Sequence, residues 1–163
     1  MDVLREQLVD AVIGRTHIDL PMAAAQALAR GLDSPSLREV AGLGRSDPAE
    51  EPFTEALAEL GLSWPGYGEA HLHAARRVCS RLLAEAAEAA DPAEVAGAAE
   101  EVYHHLCANA SWGEGEYDHL GFLHLTLEWE AAAARDGGPT AERGRSLVAR
   151  FRELARTLLE SEG

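Results

Sequence analysis

Lysine is absent from this chain: all fourteen basic residues are arginine, set against 28 acids, for a net charge of −14. Nucleic-acid affinity comes from Lys and Arg neutralising phosphates, and anionic membranes recruit the same residues. So acidic a chain is excluded as a general nucleic-acid or anionic-lipid binder. Solubility, repulsion of acidic molecules, or docking on a basic protein fit its charge. The missing lysine, beside the richness in Ala and Gly, reads as the bias of a GC-rich coding genome. Cysteine is nearly absent too. Cys79 and Cys107 stand far apart, each inside a helical pattern, which predicts buried free thiols in place of a disulfide or metal pair. No run approaches twenty apolar residues and no apolar h-region follows Met1, so neither a membrane span nor a signal peptide is expected and the cytoplasm is the expected compartment. The β-branched residues Val, Ile and Thr number fifteen against 31 Ala. That balance disfavours strands and predicts an all-α fold. Also missing are a Gly-x-Ser-x-Gly turn, a phosphate loop and a dinucleotide fingerprint. No catalytic residue, cofactor or metal site is therefore assigned, and the chain reads as something other than an enzyme.

What is present is helical periodicity. At 163 residues the chain fits one domain, which would bury roughly 70% of its unfolded surface. Leu4, Leu8, Ala11 and Val12 share one face of a first helix ending near Gly14. Asp19 before Leu20-Pro21 and Ser34-Pro35 before Leu37 are two N-terminal start signals, the second opening a brief helix to Ala41. Asp47-Pro48-Ala49-Glu50 reads as a capping box opening a helix to about Leu60, and Asp91-Pro92-Ala93-Glu94 repeats it. Between them, Ser63 to Gly68 is the clearest break, a candidate seam between a short-helix part, 1–62, and a long-helix bundle, 66–160. Leu72, Ala75, Cys79 and Leu82 mark one long helix; Val95, Ala99, Val102 and Leu106 the next; Leu147, Phe151, Leu154 and Leu158 the last, which is the only net-positive stretch.

Tyr117 to Arg135 carries two apolar stripes. Leu120, Leu123, Leu127, Ala131 and Ala134 form one, while Phe122, Leu125, Trp129 and Ala132 form the other on roughly the opposite side. A surface helix shows a single stripe. Residues 117–135 are accordingly expected to form a central helix with partners on both flanks, in a multi-helix bundle of about eight helices.

Several residues invite chemistry. Glu101 with His104, and Glu116 with His119, have the i, i+3 spacing of di-iron bundles. The first pair lies off the core face and the second begins in a Gly-rich loop, so neither reads as a site. Glu114, Glu116 and Asp118 alternate like a calcium loop, but His119 and Leu125 stand where Gly and Glu are needed. His71 borders an apolar face and His73 points away, so they are not a ligand pair. His124 and Glu128 are i, i+4 neighbours which, with His119, could line a polar cleft. Trp64 and Trp112 stand beside turn residues, where an aromatic plugs a bundle end or meets a partner. With Glu114 and Glu116 they are the candidate interaction residues.

Leu32-Asp33-Ser34-Pro35-Ser36-Leu37-Arg38-Glu39-Val40-Ala41-Gly42-Leu43, followed by Glu55-Ala56-Leu57-Ala58-Glu59-Leu60-Gly61, resembles a segment of small, functionally uncharacterised, all-helical actinobacterial proteins. The resemblance implies an intracellular helical protein from a high-GC bacterium and brings no activity or functional residue with it. Taken together, the residues point to a non-enzymatic, acidic helical module that binds a protein partner in a regulatory or accessory role, with homo-oligomerisation open. One alternative is an immunity or antitoxin protein masking a basic surface. Another is a small metal-binding or enzymatic protein using His124 and Glu128.

Overall fold

The computed structural model describes residues 2–44, 46–85, 91–111, 117–136 and 139–161. Among them the regular elements are eight α-helices: α1 Asp2–Val12, α2 Leu20–Ala29, α3 Pro35–Ala41, α4 Glu50–Glu59, α5 Tyr67–Glu85, α6 Pro92–Ser111, α7 His119–Asp136 and α8 Ala141–Glu160. The expected all-α architecture is the one observed. None of these helices is long and apolar enough to cross a membrane. The chain divides into two compact units, Met1–Ala70 and His71–Gly163.

In the N-terminal unit, α2 packs on α3 and α3 on α4, with α1 against α2. Their inward faces meet in a core around Leu8, Leu37, Val40, Phe53 and Leu57. The start signals work as read: Asp19 Oδ1 accepts the Met22 N–H at 3.1 Å, and Ser34 Oγ accepts that of Leu37 at 3.2 Å. At the C-termini of α2 and α4, Gly31 (φ 88°) and Gly61 (φ 69°) adopt the left-handed conformation. There the N–H groups of Leu32 and Leu62 reach back to the carbonyls of Ala27 and Leu57, closing each helix without a Cβ penalty.

The two Asp-Pro-Ala-Glu copies behave differently, and one expectation needs correcting. Asp91 Oδ1 accepts the Ala93 N–H at 2.9 Å and α6 starts at Pro92. Asp47 does not cap α4. Its carboxylate turns back to the Gly44 N–H at 2.7 Å, the N-cap is Ala49, and no side chain bonds the first turn. The cause lies downstream, in Pro52. A proline lacks the N–H for the i→i−4 bond and clashes with the carbonyl four residues back, so it is tolerated only in a first turn. Were α4 to begin at Pro48, Pro52 would fall in its second turn. Starting at Glu50 keeps it in the first.

The segment carrying the actinobacterial resemblance closes on itself in space. Glu59, in its second stretch, accepts from the Ser36 N–H at 3.1 Å and the Ser36 hydroxyl at 2.9 Å in its first. Its carboxyl is held below the ordinary value by the Ser34 hydroxyl first and the Ser36 N–H next. Arg38 pairs with Asp33 beside it. Two stretches joined by residues 23 apart in sequence are thus one corner.

In the C-terminal unit, α6, α7 and α8 pack on one another. Helix α5 adds Ala75, Val78, Cys79 and Leu82 to their shared core. Phe122 of α7 and Phe151 of α8 meet edge to face, centroids 5.8 Å apart. Gly144 of α8 lies so close to Pro92 that a Cβ would stand 2.7 Å from its Cγ. The positive charge of α8 is used against α7: Arg143 Nε and Arg150 Nη1 reach Glu128 at 3.3 and 2.5 Å. Cys79 is buried and Cys107 half-buried, both as free thiols.

Helix α7 forms where expected and lies against both α6 and α8, but it is not walled in on two sides. Phe122, Leu125 and Ala132 are buried, whereas Leu120 and Leu127 remain 52% and 49% exposed, and Ala131 and Ala134 are exposed as well. The two stripes compete for one interior. The one carrying Phe122 turns inward, where Phe151 of α8 receives it, each Å² removed from water contributing about 25 cal/mol. Thr126 lies buried on this inward side and donates to the Ala96 carbonyl of α6 at 3.4 Å.

Candidate functional site

A cleft of about 1320 Å³ lies within the N-terminal unit. One wall is the end of α1 and the loop Thr16–Asp19 leading into α2; the other is Asp47–Ala49 and the first turn of α4. Trp64, from the break after α4, closes one side. Each wall is held by the local chemistry described above. Asp19 is fixed by its cap on Met22 and Asp47 by its bond to Gly44. Because Pro52 delays α4, Asp47 and Pro48 stay outside the helix and line the cleft.

Trp64 is half-buried. Its ring packs on Phe53 with centroids 5.9 Å apart, and its Nε1 donates to Thr54 Oγ1 at 3.4 Å. Thr54 in turn donates to the Glu50 carbonyl at 2.9 Å. The tryptophan is therefore a plug for the local core and a wall of the cleft at once. From sequence the alternatives were a plug and a contact with a partner. The lining combines apolar Ile18, Leu20 and Pro21 with Asp19, Asp47, Glu50 and Glu51 and one imidazole, His17. Glu50 and Glu51 also stand at the positive end of the α4 dipole, which favours acids there.

No family model, curated protein or solved structure matches the chain. The reading of its function rests on its own geometry.

The other sequence candidates fall elsewhere. Trp112, Glu114 and Glu116 lie outside the described residues. Glu128 is engaged by the two α8 arginines, which hold its carboxyl below the ordinary value against the opposing effect of burial. His124 is exposed. His119 meets the Tyr117 carbonyl through Nδ1 at 3.1 Å, and its ring lies 6.2 Å from that of Tyr103. None of the three lines the cleft described above. His104 faces outward, 3.6 Å from Glu100. Among the described residues no three His, Cys, Asp or Glu side chains gather as a metal ion would require.

One polar feature escaped the sequence reading. His71 of α5 and His105 of α6 approach through their Nδ1 atoms at 2.7 Å, with ring centroids 5.0 Å apart. His105 is buried, and Asn109, one turn on, is fully buried. A contact of this kind needs one N–H and one lone pair, so at least one ring is neutral. Its signal lay in the heptad: His105 follows Ala98 by seven and Val102 by three, which places it on the inward face of α6.

Proposed function

We propose that the N-terminal unit is a protein-recognition module whose cleft takes a basic, apolar-flanked segment of a partner protein. The observation that carries this reading is the seating of Trp64 beside Ile18, Leu20 and Pro21 in a cleft edged by four carboxylates. An aromatic wall with acids at its rim suits the stem and head of Arg or Lys: the methylenes lie on apolar surface and the cation meets carboxylate and π-face. The net charge of −14 steers such a segment toward the protein from a distance and repels acidic competitors. Recognition without turnover is consistent with the side chains of the cleft, which offer carboxylates and one imidazole but no activated nucleophile.

The test must separate the cleft from the overall charge. Fluorescence anisotropy would follow a labelled twelve-residue peptide alternating Arg with Leu, against the wild type, a Glu50→Gln/Glu51→Gln double variant, and a control, Glu142→Gln/Glu153→Gln, removing two acids from α8. The cleft variant is expected to weaken binding about tenfold and the control less than about twofold, with affinity falling as salt rises. Trp64→Ala is expected to cost at least about tenfold, as for a central aromatic anchor. Equal losses in the two double variants would show that only net charge is felt, and the cleft would be abandoned as the site.

A further inference from the structure

Among the described residues no carboxylate or guanidinium is buried, and the buried side chain of the type that titrates near neutrality is the imidazole of His105. It is 7% exposed, and its Nδ1 lies 2.7 Å from Nδ1 of half-buried His71. The pair ties the first turns of α5 to the inward face of α6, one turn from Val102 of the shared core. An N···N contact this short holds one hydrogen, so one ring presents an N–H and the other a lone pair. Two neutral rings satisfy it. So does a pair that has gained one proton and shares it as N–H⁺···N. Two imidazolium rings do not, because each Nδ1 then carries a hydrogen and the two meet head-on with like charge.

We infer that His71 and His105 form a proton-operated latch, in which the second proton taken up by the pair separates the start of α5 from α6. His71 is the side that gives way. It is half-buried and is the first residue of the C-terminal unit, whereas His105 sits within a helix packed on both α7 and α8. The surrounding groups leave the count of hydrogens unchanged. Tyr67 stands one turn before His71 on α5, and half-buried Glu101 one turn before His105 on α6. Asn109, one turn after His105, is fully buried and does not titrate. Arg76, further along α5, reaches the Leu158 carbonyl near the end of α8 at 3.4 Å. Among the described residues of α7 and α8, every buried side chain is of a non-titrating type. Whatever a neighbouring carboxylate contributes to the first proton, it makes no room between two Nδ1 atoms for a second hydrogen.

The closed contact accepts one proton and the opened pair accepts two. Above the ordinary range of histidine, about 6.5, neither state takes the second and the latch has its full strength. Below that range the open state holds one proton more than the closed one, so opening becomes about tenfold more favourable for each pH unit. Gln7 and Gln26 join α1 to α2 through an amide contact of 3.0 Å, a bridge of the same kind with no titrating group.

The test uses the full chain. Amide exchange followed by NMR from pH 7.5 to pH 5, corrected for the intrinsic pH dependence of exchange, reads the latch directly. In the wild type the opening constant at Ala74 and Ala75 is expected to rise about tenfold between pH 6 and pH 5, and that at Leu147 and Phe151 on α8 less than about twofold. In His71→Gln/His105→Gln, which puts an amide pair in place of the imidazoles, the rise at Ala74 and Ala75 should vanish. Should that variant fail to fold, ring-nitrogen spectra of the wild type decide, since the second imidazole should take its proton only as Ala74 and Ala75 lose protection. No rise in the wild type, an equal rise on α8 or in the double variant, or two imidazolium rings with α5 still protected would overturn the proposal.

Discussion

Truncating Leu125 or Leu127 to alanine makes the same chemical change two residues apart on α7, in environments that differ only by the face of the helix. Leu125 is 1% exposed and Leu127 49%. Loss of a buried leucine removes its transfer free energy and leaves a cavity, so Leu125→Ala is expected to cost about 2.7–5 kcal/mol. At Leu127 half the side chain is already wet and no cavity opens. The remaining transfer loss of about 0.5–1 kcal/mol is partly offset by alanine's helix propensity, which acts equally at both sites. The difference between the variants is thus about 2–4 kcal/mol. With a urea slope of about 1–2 kcal/mol/M for a unit of this size, the two midpoints should lie roughly 1–3 M apart. Tryptophan fluorescence in a Trp64→Phe background reads the C-terminal unit, and a protein concentration near 1 µM keeps association out of the measurement. Equal costs at the two positions, within about 0.5 kcal/mol, would mean that both stripes of α7 are enclosed and would refute the assignment of its faces.

Acid should act on the corner at α3. Bonds from Ser34 and Ser36 hold the Glu59 carboxyl below 4.5, the ordinary value that it regains on unfolding. Their stabilisation is complete above that value and is lost as pH falls through the depressed one. The melting-temperature gap between wild type and Glu59→Gln is therefore expected to be larger at pH 7 than at about pH 3; an unchanged gap would rule out this linkage. The thiols should differ in reactivity, since burial pushes Cys79 up to about 12 while Cys107 is half-buried. A disulfide reagent at pH 8 is expected to titrate one thiol in the native protein and two in denaturant. Two fast native thiols would contradict the burial of Cys79.

Local chemistry was readable where a few neighbouring residues decide the outcome. Asp19 and Ser34 cap because their side chains need only reach an N–H three residues on. The Asp47 cap was misread from the same kind of evidence because the deciding residue, Pro52, lies beyond the four-letter motif. Helix α7 shows a different limit. Periodicity counts how many apolar faces a helix has, and it counted two correctly. Which face turns inward depends on what the other helices present: Phe151 on α8 receives Phe122, and the Ala96 carbonyl on α6 receives Thr126. Nothing within residues 117–135 records that. The cleft was harder still, since residues 11–21 and 47–64 form it only after α1, α2 and α4 have packed, and its carboxylates look in sequence like ordinary helix-start acids. Asp19 does act as one. Its Oδ1 accepts the Met22 N–H, and the same residue lines the cleft. The residue types that begin helices, acids beside proline and a small turn residue, are also those that leave carboxylates standing at the rim of a groove. In a chain whose helices start this way repeatedly, carboxylates gather where helix starts pack against one another, and here Trp64 adds an apolar side to the cleft.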